Sequence, residues 1–196
     1  FEPNLVLGRS NLFLLNYCEK IFTYNKKIKN LPKKIYHKNF VINPLIRKNI
    51  FFSRDKALKK SKLFSILIIG GSQGAKVFSE IIKKILPKFD KSLLKKIFIV
   101  HQVRKEDLKG MEKFYQSLNV KCKLQNFFTN IYDEISNSDL IISRCGASSL
   151  AEIEFFKKFC ILIPLPTSAN NHQYYNAVEF KKTNNCEIIN QSNINL

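Results

Sequence analysis

Residues 65–75, SILIIGGSQGA, constrain this chain more than any other stretch, because an unbroken apolar run ends in a glycine-rich turn that opens directly into an amphipathic segment. Ile66, Leu67, Ile68 and Ile69 leave no polar face, so they read as a strand covered on both sides, as in a parallel sheet. Gly70, Gly71 and Gly74 let the backbone turn tightly against a ligand. The amides opening the following helix, with the positive end of its dipole, favour an anion, and Ser72 adds a hydroxyl donor. The same glycines also suit a plain strand-to-helix turn that holds no ligand. Gly70-Gly71-Ser72-Gln73-Gly74 matches neither the dinucleotide fingerprint nor the Lys-bearing phosphate loop, which argues against a nicotinamide dehydrogenase and a P-loop NTPase.

From this strand onward apolar runs alternate with amphipathic stretches. The pattern predicts strands at 63–69, 97–101, 122–127, 140–143, 160–164 and 186–189, and helices at 76–86, 106–118, 131–136, 149–156 and 173–181. Ile81, Ile82, Ile85 and Leu86 give the first helix an apolar stripe, and Pro87 ends it. Repeated βα units imply an α/β fold with a doubly wound parallel sheet and right-handed crossovers. The first 62 residues stand outside that alternation: 8–18 reads as helix, 20–24 as a short strand, and 40–42 leads into the turn at Asn43-Pro44. The Lys-rich interval 48–62 has linker character. The expected division is therefore 1–46 as the remnant of one domain and 47–196 as a second. The first part is too short to fold alone and opens in mid-structure, and the sixth strand has no closing helix, so the expectation is a piece of a longer protein.

The formal charge is +18, and it is uneven: residues 1–62 carry fifteen Lys or Arg against three acids. Such a bias suits an anionic partner, either nucleic acid or an anionic membrane face. It also suits a solvated lysine surface, because Lys outnumbers Arg 28 to 5 and Asn and Ile are abundant throughout. No run approaches the ~18 apolar residues of a spanning helix. The five cysteines (Cys18, Cys122, Cys145, Cys160, Cys186) are scattered, with no CxxC pair and no His at ligand spacing, so they read as core thiols.

Open parallel sheets bind ligands beyond the carboxyl ends of their strands. The loops there are Gly71-Ser72-Gln73-Gly74, Phe127-Phe128-Thr129-Asn130, Arg144 to Ser149 with Glu152 beyond it, and Asn170-Asn171-His172-Gln173, and they are expected to meet on one rim. Ser148 or Ser149 with Glu152 fits a capping box, while an ionised Glu152 also fits a pair of ribose hydroxyls, since a carboxylate only accepts. Phe127 and Phe128 suit a core as well as base stacking, and His172 suits a surface hydrogen bond as well as a general base. No nucleophile, base and orienting acid stand at convincing spacing, and no metal constellation is visible.

Three segments, GGSQGA, SRCGASSLAE (143–152) and ANNHQYYNA (169–177), together resemble the MurG-type UDP-N-acetylglucosamine transferases of peptidoglycan synthesis. The opening FEPNLVLGRSN and the NPLIR of 43–47 are similar to that family's E-x-N and N-P-x-R segments, the latter one residue longer here. The resemblance implies a GT-B enzyme with two Rossmann-like domains, this chain holding the tail of the acceptor domain and most of the nucleotide-sugar domain. Family positions carry over onto Asn4, Arg47, Ser72, Phe128, Ala147, Ser148, Ser149, Leu150, Ala151, Glu152 and Gln173. Ser72 and Arg47 would hold the diphosphate, the Phe128 backbone the uracil edge, Glu152 the ribose diol and Gln173 the sugar.

The implied reaction is an inverting, metal-independent transfer of GlcNAc from UDP to a muramoyl hydroxyl on a polyprenyl diphosphate, with no cofactor. Stabilising the departing diphosphate is the task of this half. The implied partners are UDP-GlcNAc, the polyprenyl-diphosphate-linked acceptor and the anionic cytoplasmic face of a bacterial inner membrane, met peripherally, with no nucleic acid. The general base lies outside these residues, so the piece alone is not expected to catalyse transfer. Two other classes compete: another GT-B enzyme or UDP-sugar epimerase, and a basic nucleic-acid-binding module, which calls for stacking aromatics among the lysines of residues 1–62.

Overall fold

The apolar run builds β3 (Phe64–Ile69), whose two edges are both paired: Ile66 lies opposite Ile99 of β4 (Ile97–Gln102) and Leu140 of β6 (Leu140–Ser143). The computed structural model describes residues 1–47, 50, 62–71 and 76–194. Beside β4 lies β5 (Lys121–Gln125), and beyond β6 come β7 (Cys160–Leu162) and β8 (Cys186–Ile188). The order is β5-β4-β3-β6-β7-β8 with every pair parallel, so chain order reverses between β3 and β6. That reversal opens a crevice at the carboxyl ends of those two strands.

The two faces of β3 feed two cores. Leu67 and Ile69 pack under α4 (Ile131–Asn137), α5 (Ala147–Phe155) and α6 (His172–Lys181), where Ile135, Leu150, Ile153 and Phe180 are buried. Ile68 packs under α2 (Lys76–Ile85) and α3 (Leu108–Ser117), against Phe78, Ile82, Met111 and Tyr115. The alternation of β3 side chains between the two layers accounts for the unbroken apolar run from Ile66 to Ile69.

Several boundaries differ from expectation for local reasons. The strand expected over 122–127 ends at Gln125, opposite Gln102, the last residue of its partner β4, and the Asn126 carbonyl beyond it accepts a side-chain bond from Gln102 at 3.2 Å. The helix expected from 149 begins at Ala147. The helix expected from 106 opens as a 3₁₀ turn, Lys105–Asp107, pinned by Arg104 Nε donating to Asp107 at 2.9 Å. Of the linker 48–62, residues 48, 49 and 51–61 lie outside the described residues, and Ile50 is fully buried with its N–H donating to Arg47 O at 3.0 Å.

Ahead of the sheet, α1 (Arg9–Leu14) and a two-stranded parallel ribbon, β1 (Ile21–Thr23) with β2 (Asn39–Val41), enclose a small cluster that includes Leu7, Leu15, Ile21, Ile28 and Ile35. Glu2 anchors this segment. Although it is 2% exposed, its carboxylate accepts from Asn4 N, Asn4 Nδ2, Gly8 N and Asn11 Nδ2 at 2.7 to 3.1 Å. Among the described residues no helix is long and apolar enough to cross a membrane.

Asn176 of α6 joins the segment to the sheet domain. Its Oδ1 accepts Leu5 N–H at 2.9 Å, and its Nδ2 donates to Asn4 Oδ1 at 3.0 Å and to the Cys145 carbonyl at 3.1 Å. Beside it, Lys29 Nζ stands 3.4 Å from the centroid of the Tyr175 ring. Replacing Asn176 by Leu strands a buried amide and a buried carbonyl, so we expect a loss of about 2–4 kcal/mol in urea unfolding. A change below ~0.5 kcal/mol, the size of an ordinary surface substitution, would mean that this joint is not formed in solution.

Candidate functional site

The loop between β6 and α5 is gripped from three sides. Arg144 is 8% exposed, and its guanidinium donates to the carbonyls of Ile163 and Pro164 at 3.0 and 3.1 Å and to Gln191 Oε1 at 2.8 Å, while stacking over Phe78 at 5.1 Å. Burial pulls its pKa down from the ordinary arginine value. Both peptide groups of Cys145 are held by α6: Gln173 Oε1 accepts its N–H at 3.1 Å and Asn176 donates to its carbonyl. Gln173 Oε1 also accepts Leu165 N–H at 3.0 Å, so one side chain fastens the loops after β6 and β7.

This grip fixes where α5 starts. Gly146 is its N-cap in extended conformation, and no side chain caps it, so Ser148, Ser149 and Glu152 do not form a capping box. The first helical bond runs from Leu150 N to Gly146 O at 3.0 Å. The amides of Ala147, Ser148 and Ser149 therefore point out of the helix end, a geometry that favours anions.

Glu152 stands one turn further on and is set against α4. Tyr132, 1% exposed, donates its hydroxyl to Glu152 Oε1 at 3.3 Å. Burial pushes the Glu152 carboxyl above the usual range, while the Tyr132 bond and the positive charge of Arg47 pull it back. Tyr132 is itself pushed up, first by burial and then by the Glu152 charge. Arg47 is exposed at the end of the first segment, yet its charge acts on both groups. Glu152, Arg47 and Tyr132 thus form one electrostatic cluster, and Tyr132 was not anticipated from the sequence because only the fold brings α4 beside α5.

The other expected positions divide. Phe128 is buried in the core at 7% exposure whereas Phe127 is 60% exposed, so of these two rings the first packs and the second is free to meet a ligand. Ala147, Leu150 and Ala151 line a cleft of about 260 Å³ against Pro3, Tyr24 and Pro44, on a different side of α5 from Glu152. Ser148 is exposed and Ser149 half-buried. Asn4 lies in the joint, its amide shared between Glu2 and Asn176. A second cleft of about 370 Å³ separates Asn4, Arg9 and Asn11 from Asn170 and His172. Asn170 and Asn171 both adopt left-handed φ, 52° and 54°, in the turn into α6, and His172 Nδ1 meets Ala169 O at 2.9 Å, which places the proton on Nδ1. Ser72 lies outside the described residues. Its neighbour Gly71 turns with φ +88°, a conformation that L side chains rarely adopt.

A doubly wound parallel sheet whose strand order reverses between β3 and β6 is the frame of a Rossmann-like domain. The chain belongs to glycosyltransferase family 28: the family model described as the glycosyltransferase family 28 C-terminal domain matches residues 65–196. Over 194 residues it is 41% identical to the UDP-N-acetylglucosamine--N-acetylmuramyl-(pentapeptide) pyrophosphoryl-undecaprenol N-acetylglucosamine transferase of Pelagibacter ubique (strain HTCC1062), covering 99% of this chain and 54% of that one. The enzyme of the same name from Rickettsia canadensis (strain McKiel) is 40% identical over 195 residues, covering 98% and 55%. The chain spans about half the length of these relatives.

Among solved structures, Acinetobacter baumannii MurG superposes with a TM-score of 0.75 at 23% identity over 98% of this chain and 53% of that one. The glycotransferase of kitacinnamycin gives 0.60 at 14% identity over 91% and 44%. The fold is therefore the GT-B-type, Rossmann-like one expected.

Because burial raises the folded-state pKa of Glu152 above its unfolded value, keeping it ionised at neutral pH costs folding free energy. Glu152→Gln is expected to raise the melting temperature at pH 7. The advantage should fade as pH falls through the folded pKa and vanish below the unfolded one. An equal or lower melting temperature at pH 7 contradicts the burial assigned to this carboxylate.

Proposed function

We propose that this chain supplies the donor-binding part of a glycosyltransferase that moves GlcNAc from UDP-GlcNAc to a polyprenyl-diphosphate-linked muramoyl-peptide acceptor, the step that completes the lipid-linked disaccharide of peptidoglycan. The observation that carries the reading is Glu152: a largely buried carboxylate at the carboxyl rim of the sheet, held by Tyr132 and freed from any capping role. With Oε1 engaged by Tyr132, Oε2 remains for the ribose hydroxyls. The amides of Ala147, Ser148 and Ser149 and the charge of Arg47 suit the diphosphate, with Ser72 assigned to it on family likeness. The Phe128 backbone is assigned the uracil edge. Gln173, whose Oε1 is committed to two backbone amides, presents Nε2 to the sugar.

In the transfer, the bond between the sugar's anomeric carbon and the UDP oxygen breaks as the acceptor hydroxyl oxygen bonds to that carbon. The hydroxyl proton passes to a base, and UDP leaves with the charge that these donors stabilise. On this reading residues 1–46 end the acceptor domain and 47–196 form the donor domain, and Asn4 lies where the two meet. A peripheral position on the anionic cytoplasmic face of the inner membrane draws support from Phe13 and Tyr17, 75% and 80% exposed, close in sequence to Arg9 and Lys20.

Glu152→Ala is expected to weaken UDP-GlcNAc binding by roughly 1–3 kcal/mol, read by calorimetry. UDP should compete with UDP-GlcNAc, and both should tolerate added salt. Unchanged donor affinity in the variant removes Glu152 from the site. Affinity that instead collapses with salt and favours nucleic acid sinks the proposal.

A further inference from the structure

Gln102 closes β4 and is 6% exposed. Since β4 lies between β3 and β5, its last residue stands between the turn leaving β3 and the loop leaving β5. Gly70 N–H donates to Gln102 Oε1 at 3.2 Å, and Gln102 Nε2 donates to the Asn126 carbonyl at 3.2 Å. A single amide therefore bridges the start of the glycine turn and the loop that carries Phe127 and Phe128. We propose that Gln102 is a positioning residue for a nucleoside diphosphate bound beyond the carboxyl ends of the strands, setting the separation between the β3 exit at Gly70-Gly71 and the loop that carries Phe127 and Phe128. This rests on the functional reading above and deepens it.

The chemistry of the side chain supports the role. A primary amide offers a neutral donor and acceptor in one plane, and Gly70 and Asn126 present the matching acceptor-seeking and donor-seeking groups. Glutamate in its place would face the Asn126 carbonyl with a second acceptor. Methionine would fill the volume and leave both backbone groups without this bond. Beside it, Val103 N–H donates to Gln125 O at 2.9 Å, so the β4 and β5 ends are also joined through backbone and the amide adds the link to β3. Gln102 acts through these two loops and is not itself a ligand contact. A ligand that touches both loops senses their spacing, whereas a ligand that touches one does not.

The test is calorimetry on the whole chain, wild type, Gln102→Glu and Gln102→Met, with UDP, uridine and inorganic pyrophosphate, each variant first shown to be folded by its circular dichroism melt. UDP affinity should fall at least about tenfold, while uridine and pyrophosphate each change less than about threefold. UDP affinity unchanged in a folded variant overturns the proposal, as does a loss for uridine equal to that for UDP. Should neither variant fold, hydrogen exchange of the wild-type chain decides it: saturating UDP is expected to slow exchange at Gly70 and Phe128 by more than uridine and pyrophosphate do when both are present at saturation, and equal protection overturns it. A wild-type chain that binds no UDP at all refutes the functional reading itself, a result distinct from failure in the variants alone.

Discussion

Two side-chain amides on one face of α6 hold the peptide of Cys145, and the rest of the rim is built outward from that grip. Gln173 takes the N–H and Asn176 the C=O, and each has a second commitment, to Leu165 and to the Asn4-Leu5 segment respectively. A formed neutral hydrogen bond contributes only about 0.5–1.5 kcal/mol, whereas a buried group left without a partner costs about 1–3. The asymmetry is what makes the arrangement specific. Any shift of α6 against the loop loses several bonds together, so the start of α5, the β7 exit and the approach of the N-terminal segment are fixed as one unit.

Charge plays a different part. The ion pairs Lys76–Glu80, Lys181–Glu187 and Lys182–Glu179 are all substantially exposed, and pairs of that kind contribute about 0–1 kcal/mol each. Arg144, the buried cation among the described residues, donates to two carbonyls and one amide oxygen. The +18 of the chain is thus not what holds the sheet together. It shapes the field around the molecule, while packing and neutral hydrogen bonds shape the rim.

The sheet was legible in the sequence because a strand buried on both faces calls for a continuous apolar run, and residues 66–69 of β3, 97–100 of β4 and 140–142 of β6 are such runs. The rule that places ligands beyond parallel strands pointed to the loops after β6 and β7, which Gln173 fastens together. What escaped were the distant partners. Tyr132 lies 20 positions from Glu152, Asn176 lies 171 from Leu5, and Gln102 reaches 32 residues back to Gly70. Periodicity carries no information on pairs so far apart. Phe127 and Phe128 differ in fate because the chain leaves the sheet between Gln125 and α4, where the alternation that sorts side chains no longer applies. The capping box failed for a related reason: Gly146 is fixed by tertiary bonds at Cys145, and the helix starts before the serines can cap it.

The adjacent residues His101 and Gln102 show how far the carboxyl end of the sheet departs from a purely stabilising design. His101 is fully buried, its Nδ1 meets the Tyr115 hydroxyl at 3.0 Å, its Nε2 has no partner, and burial pulls its pKa down to about 4. An apolar residue there would avoid the cost of an unpaired buried nitrogen, about 1–3 kcal/mol. Glu152, whose ionised form is disfavoured by burial, carries a cost of the same kind. Both departures lie toward the carboxyl rim, where polar groups are needed, while the central positions of β3, Leu67 and Ile68, are apolar and fully buried. Stability is spent where the strands end because that is where a ligand can be met.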